Sequence, residues 1–148
     1  MQVAYQAGEL TGDLVLVVRF QGPRANGMPE LHKLMPLLAN LQQAGQRVAL
    51  VTDGRLSGAS GQVPAALHLT PEAALGGPLA YVQDGDWIGL DAGAGVLHLE
   101  PASGDCSTRQ PAKMTSQIAA GYGLHLFAQQ RRLVGPADQG ATTLEWED

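Results

Sequence analysis

Arg47-Val48-Ala49-Leu50-Val51-Thr52-Asp53-Gly54-Arg55-Leu56-Ser57-Gly58-Ala59-Ser60-Gly61 runs from an apolar segment straight into a loop of glycines and chemically capable side chains. A short apolar run bounded by turn signals reads as a strand covered on both faces, so Arg47 to Val51 is expected to be a buried strand. Gly54, Gly58 and Gly61 let the backbone take positive φ and let a ligand approach main-chain N–H groups, while Asp53, Arg55, Ser57 and Ser60 supply charge and hydroxyls. Taken alone, the loop reads either as a site or as a polar turn after a strand.

Upstream, Leu14-Val15-Leu16-Val17-Val18-Arg19-Phe20 reads as a second strand covered on both faces, ended by Gln21 to Gly27. Leu31, Leu34, Met35, Leu38 and Leu41 then recur at helical spacing up to Gly45, with Pro29 near the first turn and Pro36 predicting a kink or a break. Strand, loop, helix, strand is the order of an α/β domain. Downstream, Val63 to Leu69 contains Pro64 and is expected to be a short edge strand or an irregular buried segment. Thr70-Pro71-Glu72-Ala73-Ala74 reads as the cap and first turn of a very short helix stopped by Gly76-Gly77-Pro78. Leu79 to Val82 and Trp87 to Leu90 are expected to pair around Asp84-Gly85-Asp86, with Val96 to Leu99 as a third strand. Pro111 to about Arg132 is helix-prone with interruptions at Gly121 and Gly123, and Ala141 to Trp146 is expected to close as a last strand.

The bulk numbers narrow the function classes. A chain of 148 residues, 45% hydrophobic and 16% charged, fits one soluble domain with a real core. A net charge of -5 and nine scattered Lys and Arg argue against a nucleic-acid face. Cys106 is the single cysteine, so it forms no internal disulfide and cannot by itself hold an iron–sulfur cluster. No apolar run is long enough for a membrane span and no signal peptide is legible, which makes the cytoplasm the expected compartment. There is no phosphate-binding loop, Gly121-Tyr122-Gly123 lacks a third glycine, and Ser57 sits in Gly-Arg-Leu-Ser-Gly instead of a nucleophile elbow. His32, His68, His98 and His125 lack paired zinc-ligand spacing.

Two long stretches in order carry a more specific signal. Phe20-Gln21-Gly22-Pro23-Arg24-Ala25-Asn26-Gly27-Met28-Pro29-Glu30-Leu31-His32 and Val48 to Gly61, followed by Val63-Pro64-Ala65-Ala66 and Thr70-Pro71-Glu72-Ala73, resemble the C-terminal domain of the dihydroxy-acid/phosphogluconate dehydratases. The likeness runs from about Gly8 to the end, and the Arg-Ala-Asn-Gly-Met-Pro-Glu-Leu-His and Ser-Gly-Ala-Ser-Gly stretches place it nearer the phosphogluconate branch. What the resemblance implies is conversion of 6-phosphogluconate to 2-keto-3-deoxy-6-phosphogluconate, the first committed step of the Entner–Doudoroff route of gluconate metabolism. It also implies an iron–sulfur cluster as Lewis acid, a magnesium ion near the substrate carboxylate, and homodimers of the full-length enzyme. The implied fold is a swivelling β/β/α domain with a β-barrel-like core of mixed strands and flanking helices.

Residue by residue, the resemblance makes Ser57 the base and Glu30 a magnesium ligand. An alcohol works as a base at neutral pH only if a metal or fixed dipoles stabilise its alkoxide, and a hard cation prefers carboxylate oxygen. Without the resemblance, Glu30 reads as a residue near a helix N-terminus and Ser57 as a turn residue. Ser60 is a candidate for a substrate hydrogen bond, Arg24, His32 and Lys33 for the substrate phosphate or plain surface, and Asp53 and Arg55 for a pair that braces the loop. Residues 1–148 are expected to be a single domain, inactive alone, whose partner is an N-terminal domain carrying the cluster cysteines and the other magnesium ligands. Cys106 lies outside every matched motif and is expected to be inert. The alternatives are a non-catalytic sugar-acid-binding fragment, or a domain of a dihydroxy-acid or unphosphorylated sugar-acid dehydratase.

Overall fold

A computed structural model of the protein describes residues 1–57, 61–114 and 125–144. Three parallel strands form the central sheet in the order β1 (Leu14–Val18), β2 (Val48–Thr52), β3 (Ala65–Ala66). A short helix α1 (Gln2–Gln6) precedes them. Between β1 and β2 the chain makes α2 (Pro23–Asn26), a 3-10 turn His32–Leu34 and α3 (Met35–Gln43). All five residues of β2 are buried, as its unbroken apolar run requires.

The sheet separates two apolar clusters. Leu38 and Leu41 of α3 pack with Val48, Leu50, Leu56 and Val63 on one side, while Val51 meets Phe20, Ala25, Ala73, Leu79, Ala80 and Val82 on the other. Period-two alternation along β2 sends Leu50 and Val51 to opposite sides and so builds both clusters from one strand.

Pro36 opens α3 rather than kinking it. It lies in the first turn, where its missing N–H costs nothing, and the helix expected from Pro29 begins only at Met35. Pro29 instead precedes Glu30, whose backbone bridges Arg55 in a parallel sense. The expected pairing of Leu79–Val82 with Trp87–Leu90 is also corrected. Pro78–Ala80 is a 3-10 turn packed into the core, and β4 (Trp87–Asp91) pairs antiparallel with β5 (Val96–Glu100). Pro78 supplies a helical φ, and Gly77 allows the turn to press on Pro71, since a Cβ there would sit 1.6 Å from the Pro71 carbonyl oxygen. Asp91 closes the hairpin by accepting the N–H groups of Gly93 and Ala94 at 2.9 Å.

The strands thus form an open sheet and a separate hairpin, with no closed barrel among the described residues. Of the helix expected over Pro111 to Arg132, α4 (Ala128–Leu133) is helical, Ala112 hydrogen-bonds the Ala80 carbonyl, and 115–124 lie outside the described residues. Residues 141–144 are not strand; the N–H of Gly135 reaches Thr142 O, and 145–148 lie outside the described residues.

Two buried carboxylates tie the loops at the C-terminal end of β2. Asp53, fully buried, accepts the N–H groups of Phe20 (3.1 Å) and Ala73 (2.9 Å) on Oδ2 and of Gln21 (2.9 Å) on Oδ1. Glu72, 3% exposed, accepts the N–H groups of Arg24 (2.9 Å) and Ala25 (3.0 Å), which are otherwise orphan donors in the first turn of α2. A third carboxylate, Asp86, holds the base of the hairpin. It is paired with Arg109 by two hydrogen bonds and accepts the N–H groups of Gln83 and Ala102, both at 2.9 Å.

Replacing Asp53 with alanine strands three N–H donors, and at about 1–3 kcal/mol per buried unsatisfied donor the loss is roughly 3 kcal/mol or more. Urea denaturation of Asp53→Ala reads it, and a loss below ~1 kcal/mol rules the clamp out. The Arg109 guanidinium and the N–H groups of Gln83 and Ala102 hold the Asp86 carboxyl well below the ordinary value of 3.8. A carboxyl depressed on folding stabilises the native state above its unfolded pKa, and that contribution fades as the pH falls below 3.8 toward the folded value. Thermal melts of Asp86→Asn are therefore expected to decline less steeply on acidification below pH 3.8 than those of the parent.

Candidate active site

The β2 strand delivers Asp53 into the core and leaves Arg55 and Ser57 exposed beyond it. Gly54 is required at the bend, because a Cβ there would lie 2.6 Å from Gln21 Cβ and force the two loops apart. Arg55 turns away from Asp53 and donates from Nε to Met28 O at 2.6 Å. The expected Asp53–Arg55 pair is replaced by two separate tethers, because the carboxylate is already saturated by backbone donors. Both tethers join the 20–30 segment to the 53–57 segment.

Their result is a direct contact between the two residues expected to do chemistry. The N–H of Ser57 donates to Glu30 Oε1 at 3.0 Å and Oε2 at 3.1 Å, which brings the serine up against this carboxylate. Glu30 Oε1 further accepts the N–H of His32 at 2.9 Å. The Ser57 hydroxyl and N–H, then the His32 N–H and the Arg55 charge, hold the Glu30 carboxyl below its ordinary value, so it is an anion at neutral pH. Glu30 lies in extended backbone and not in a helical first turn, so a helix dipole does not explain it.

The other candidates spread around this pair. His32 and Lys33 are exposed on the 3-10 turn that follows Glu30. Arg24, on α2, donates from Nε to Val134 O at 3.0 Å, which ties α2 to the end of α4. Ser60 lies outside the described residues. Glu72, read from sequence as part of a short helix, proves to be the clamp on α2. Its signal was Gly22, which offers no capping side chain and whose missing Cβ leaves room for the carboxylate: a Cβ there would sit 2.3 Å from Glu72 Oε2.

An oxygen-preferring cation fits Glu30, an exposed carboxylate beside a hydroxyl. It fits only as one ligand of several, since no group of three or more His, Cys, Asp and Glu converges among the described residues. An iron–sulfur cluster does not fit this chain: Cys106 is the single cysteine and opens a 3-10 turn, Cys106–Thr108, with no second thiolate to join it. Two apolar grooves, of about 240 and 380 Å³, lie beside α4 and under the hairpin, and neither is lined by Glu30 or Ser57. Among the described residues, Glu30 and Ser57 both lie exposed on the surface. No helix among the described residues is long and apolar enough to cross a membrane.

Comparison with known proteins gives this face a context. The family model described as dihydroxy-acid/6-phosphogluconate dehydratase C-terminal matches residues 1–141. Phosphogluconate dehydratase of Rhizobium meliloti is 52% identical over 145 residues, which are 97% of this chain and 24% of that protein. The Pseudomonas aeruginosa phosphogluconate dehydratase is 52% identical over 143 residues, 95% of the chain and 23% of the relative. A dihydroxy-acid dehydratase of Pyrobaculum aerophilum is 41% identical over 141 residues, again 95% of the chain and 24% of the relative. The chain spans about a quarter of the length of the curated relatives it matches. It belongs to the dihydroxy-acid/6-phosphogluconate dehydratase family and corresponds to the C-terminal part of that family's members.

Proposed function

We propose that the chain supplies the Ser57–Glu30 face of a 6-phosphogluconate dehydratase, a hydro-lyase that converts 6-phosphogluconate to 2-keto-3-deoxy-6-phosphogluconate and water. The observation that carries the reading is the contact itself: two residues 27 positions apart meet through the Ser57 N–H on both oxygens of one carboxylate. The higher identity to the phosphogluconate relatives than to the dihydroxy-acid relative supports the phosphorylated substrate.

In this reading the Ser57 oxygen takes the proton from the carbon next to the substrate carboxylate, the hydroxyl on the following carbon departs, and the resulting enol becomes the 2-keto product. Glu30 orients Ser57 and serves as one ligand to magnesium, which when bound supplies charge neutralisation at the substrate carboxylate. No residue of this chain is assigned to departure of the hydroxyl, which is left to a cluster held by cysteines of an N-terminal domain. His32 and Lys33, beside Glu30, and Arg24 on α2 are assigned to the substrate phosphate, Ser60 to a substrate hydroxyl, and Asp53 and Arg55 to holding the loop. A domain of the swivelling β/β/α kind, working in a cytoplasmic homodimer and inactive alone, accords with an open site and the relatives' greater length.

The chain joined behind the preceding part of the Rhizobium meliloti relative is expected to turn over 6-phosphogluconate faster than unphosphorylated gluconate. Ser57→Ala is expected to lower kcat by about 10²–10⁴-fold, while Glu30→Gln is expected to raise the magnesium concentration required for half-maximal rate. Unchanged kcat in Ser57→Ala removes Ser57 from the mechanism, and equal rates on the two substrates remove the phosphate assignments.

A further inference from the structure

β1 carries the sequence of an interior strand and occupies an edge. Leu14-Val15-Leu16-Val17-Val18 contains no charge, proline or glycine, and both of its faces are used. Val15 and Val17 pack on the cluster around Val51, and Leu14, Leu16 and Val18 on the cluster around Leu50. Yet β2 is its single partner among the described strands, and its five residues are half-buried where those of β2 are fully buried. The N–H of Leu14 donates to Arg47 O at 3.0 Å, so alternation turns the N–H and C=O groups of Leu14, Leu16 and Val18 toward β2. Those of Val15 and Val17 face the open edge.

The two edges of the sheet are treated differently. β3 is two residues long and follows Pro64, a guarded edge of the kind that resists further pairing. β1 has no such guard, and parallel sheets are ordinarily covered.

We propose that the open edge of β1 receives an extended segment of the polypeptide that lies outside this chain in the longer dehydratases, bonded to the N–H and C=O groups of Val15 and Val17. This rests on the reading that the chain works as part of such an enzyme. The length of the relatives identifies the occupant: the matched region is 24% of the Rhizobium meliloti protein, so most of each longer chain is available to supply a strand.

Amide hydrogen exchange on the chain alone and on the joined enzyme tests the proposal, with β2 as the internal reference. The Val15 and Val17 amides are expected to exchange fast in the chain alone and at least about 100-fold more slowly in the joined enzyme. Equal exchange in the two overturns the proposal, as does protection in the chain alone that vanishes on dilution, since a second copy then covers the edge. Turnover separates the two claims. A joined enzyme that is active with an unprotected edge sinks this inference alone, whereas a protected edge without turnover sinks the catalytic reading and leaves the edge assigned.

Discussion

The Asp53 carboxylate, taken out of water at the end of β2 and given three backbone donors in exchange, is the interaction on which the rest of the structure depends. A buried carboxylate is tolerable only when its lone pairs are filled, and here the filling comes from loops that follow β1 and β3. Phe20, in the left-handed region at φ 62, is bent there so that its N–H and that of Gln21 point at the same side chain. The clamp thereby fixes where the 20–30 segment runs relative to the 53–57 segment. Glu72 adds the same kind of bond to the next turn, and Arg55 adds its own to Met28. Glu30 meets Ser57 at the end of this series of backbone tethers, and no apolar packing between those two side chains is needed.

This arrangement explains which parts of the molecule were legible in sequence. β1, β2 and the apolar stripe of α3 follow from periodicity, whereas the glycines of the 54–61 loop read as room for a ligand, and at Gly54 that room is taken by Gln21. The exchange of Asp53's expected partner was not legible. A carboxylate and a guanidinium two residues apart read as a pair, whereas the fold offers the carboxylate three N–H groups from residues 20, 21 and 73. Long-range backbone donors leave no mark on composition or spacing. The same holds for Pro78–Ala80, where an apolar run read as a strand is bent into a 3-10 turn because Pro78 fixes φ and Gly77 must sit on Pro71.

The open geometry of the site follows from the same architecture. The carboxylates that tether the loops, Asp53 and Glu72, are buried, and the groups the loops present, Glu30, Ser57, His32 and Lys33, are exposed. Abstraction of a proton next to a carboxylate needs a base whose charge is not dissipated by water, and an exposed hydroxyl beside a carboxylate does not provide that by itself. In the proposed reading the clamp positions one half of a reaction site and leaves exclusion of solvent to whatever covers it. That division accords with a chain matching a quarter of its relatives' length. The apolar edge of β1 and the exposed Glu30–Ser57 face are two unmet requirements of one domain, the first for main-chain partners and the second for a dry environment. A single larger polypeptide can meet both.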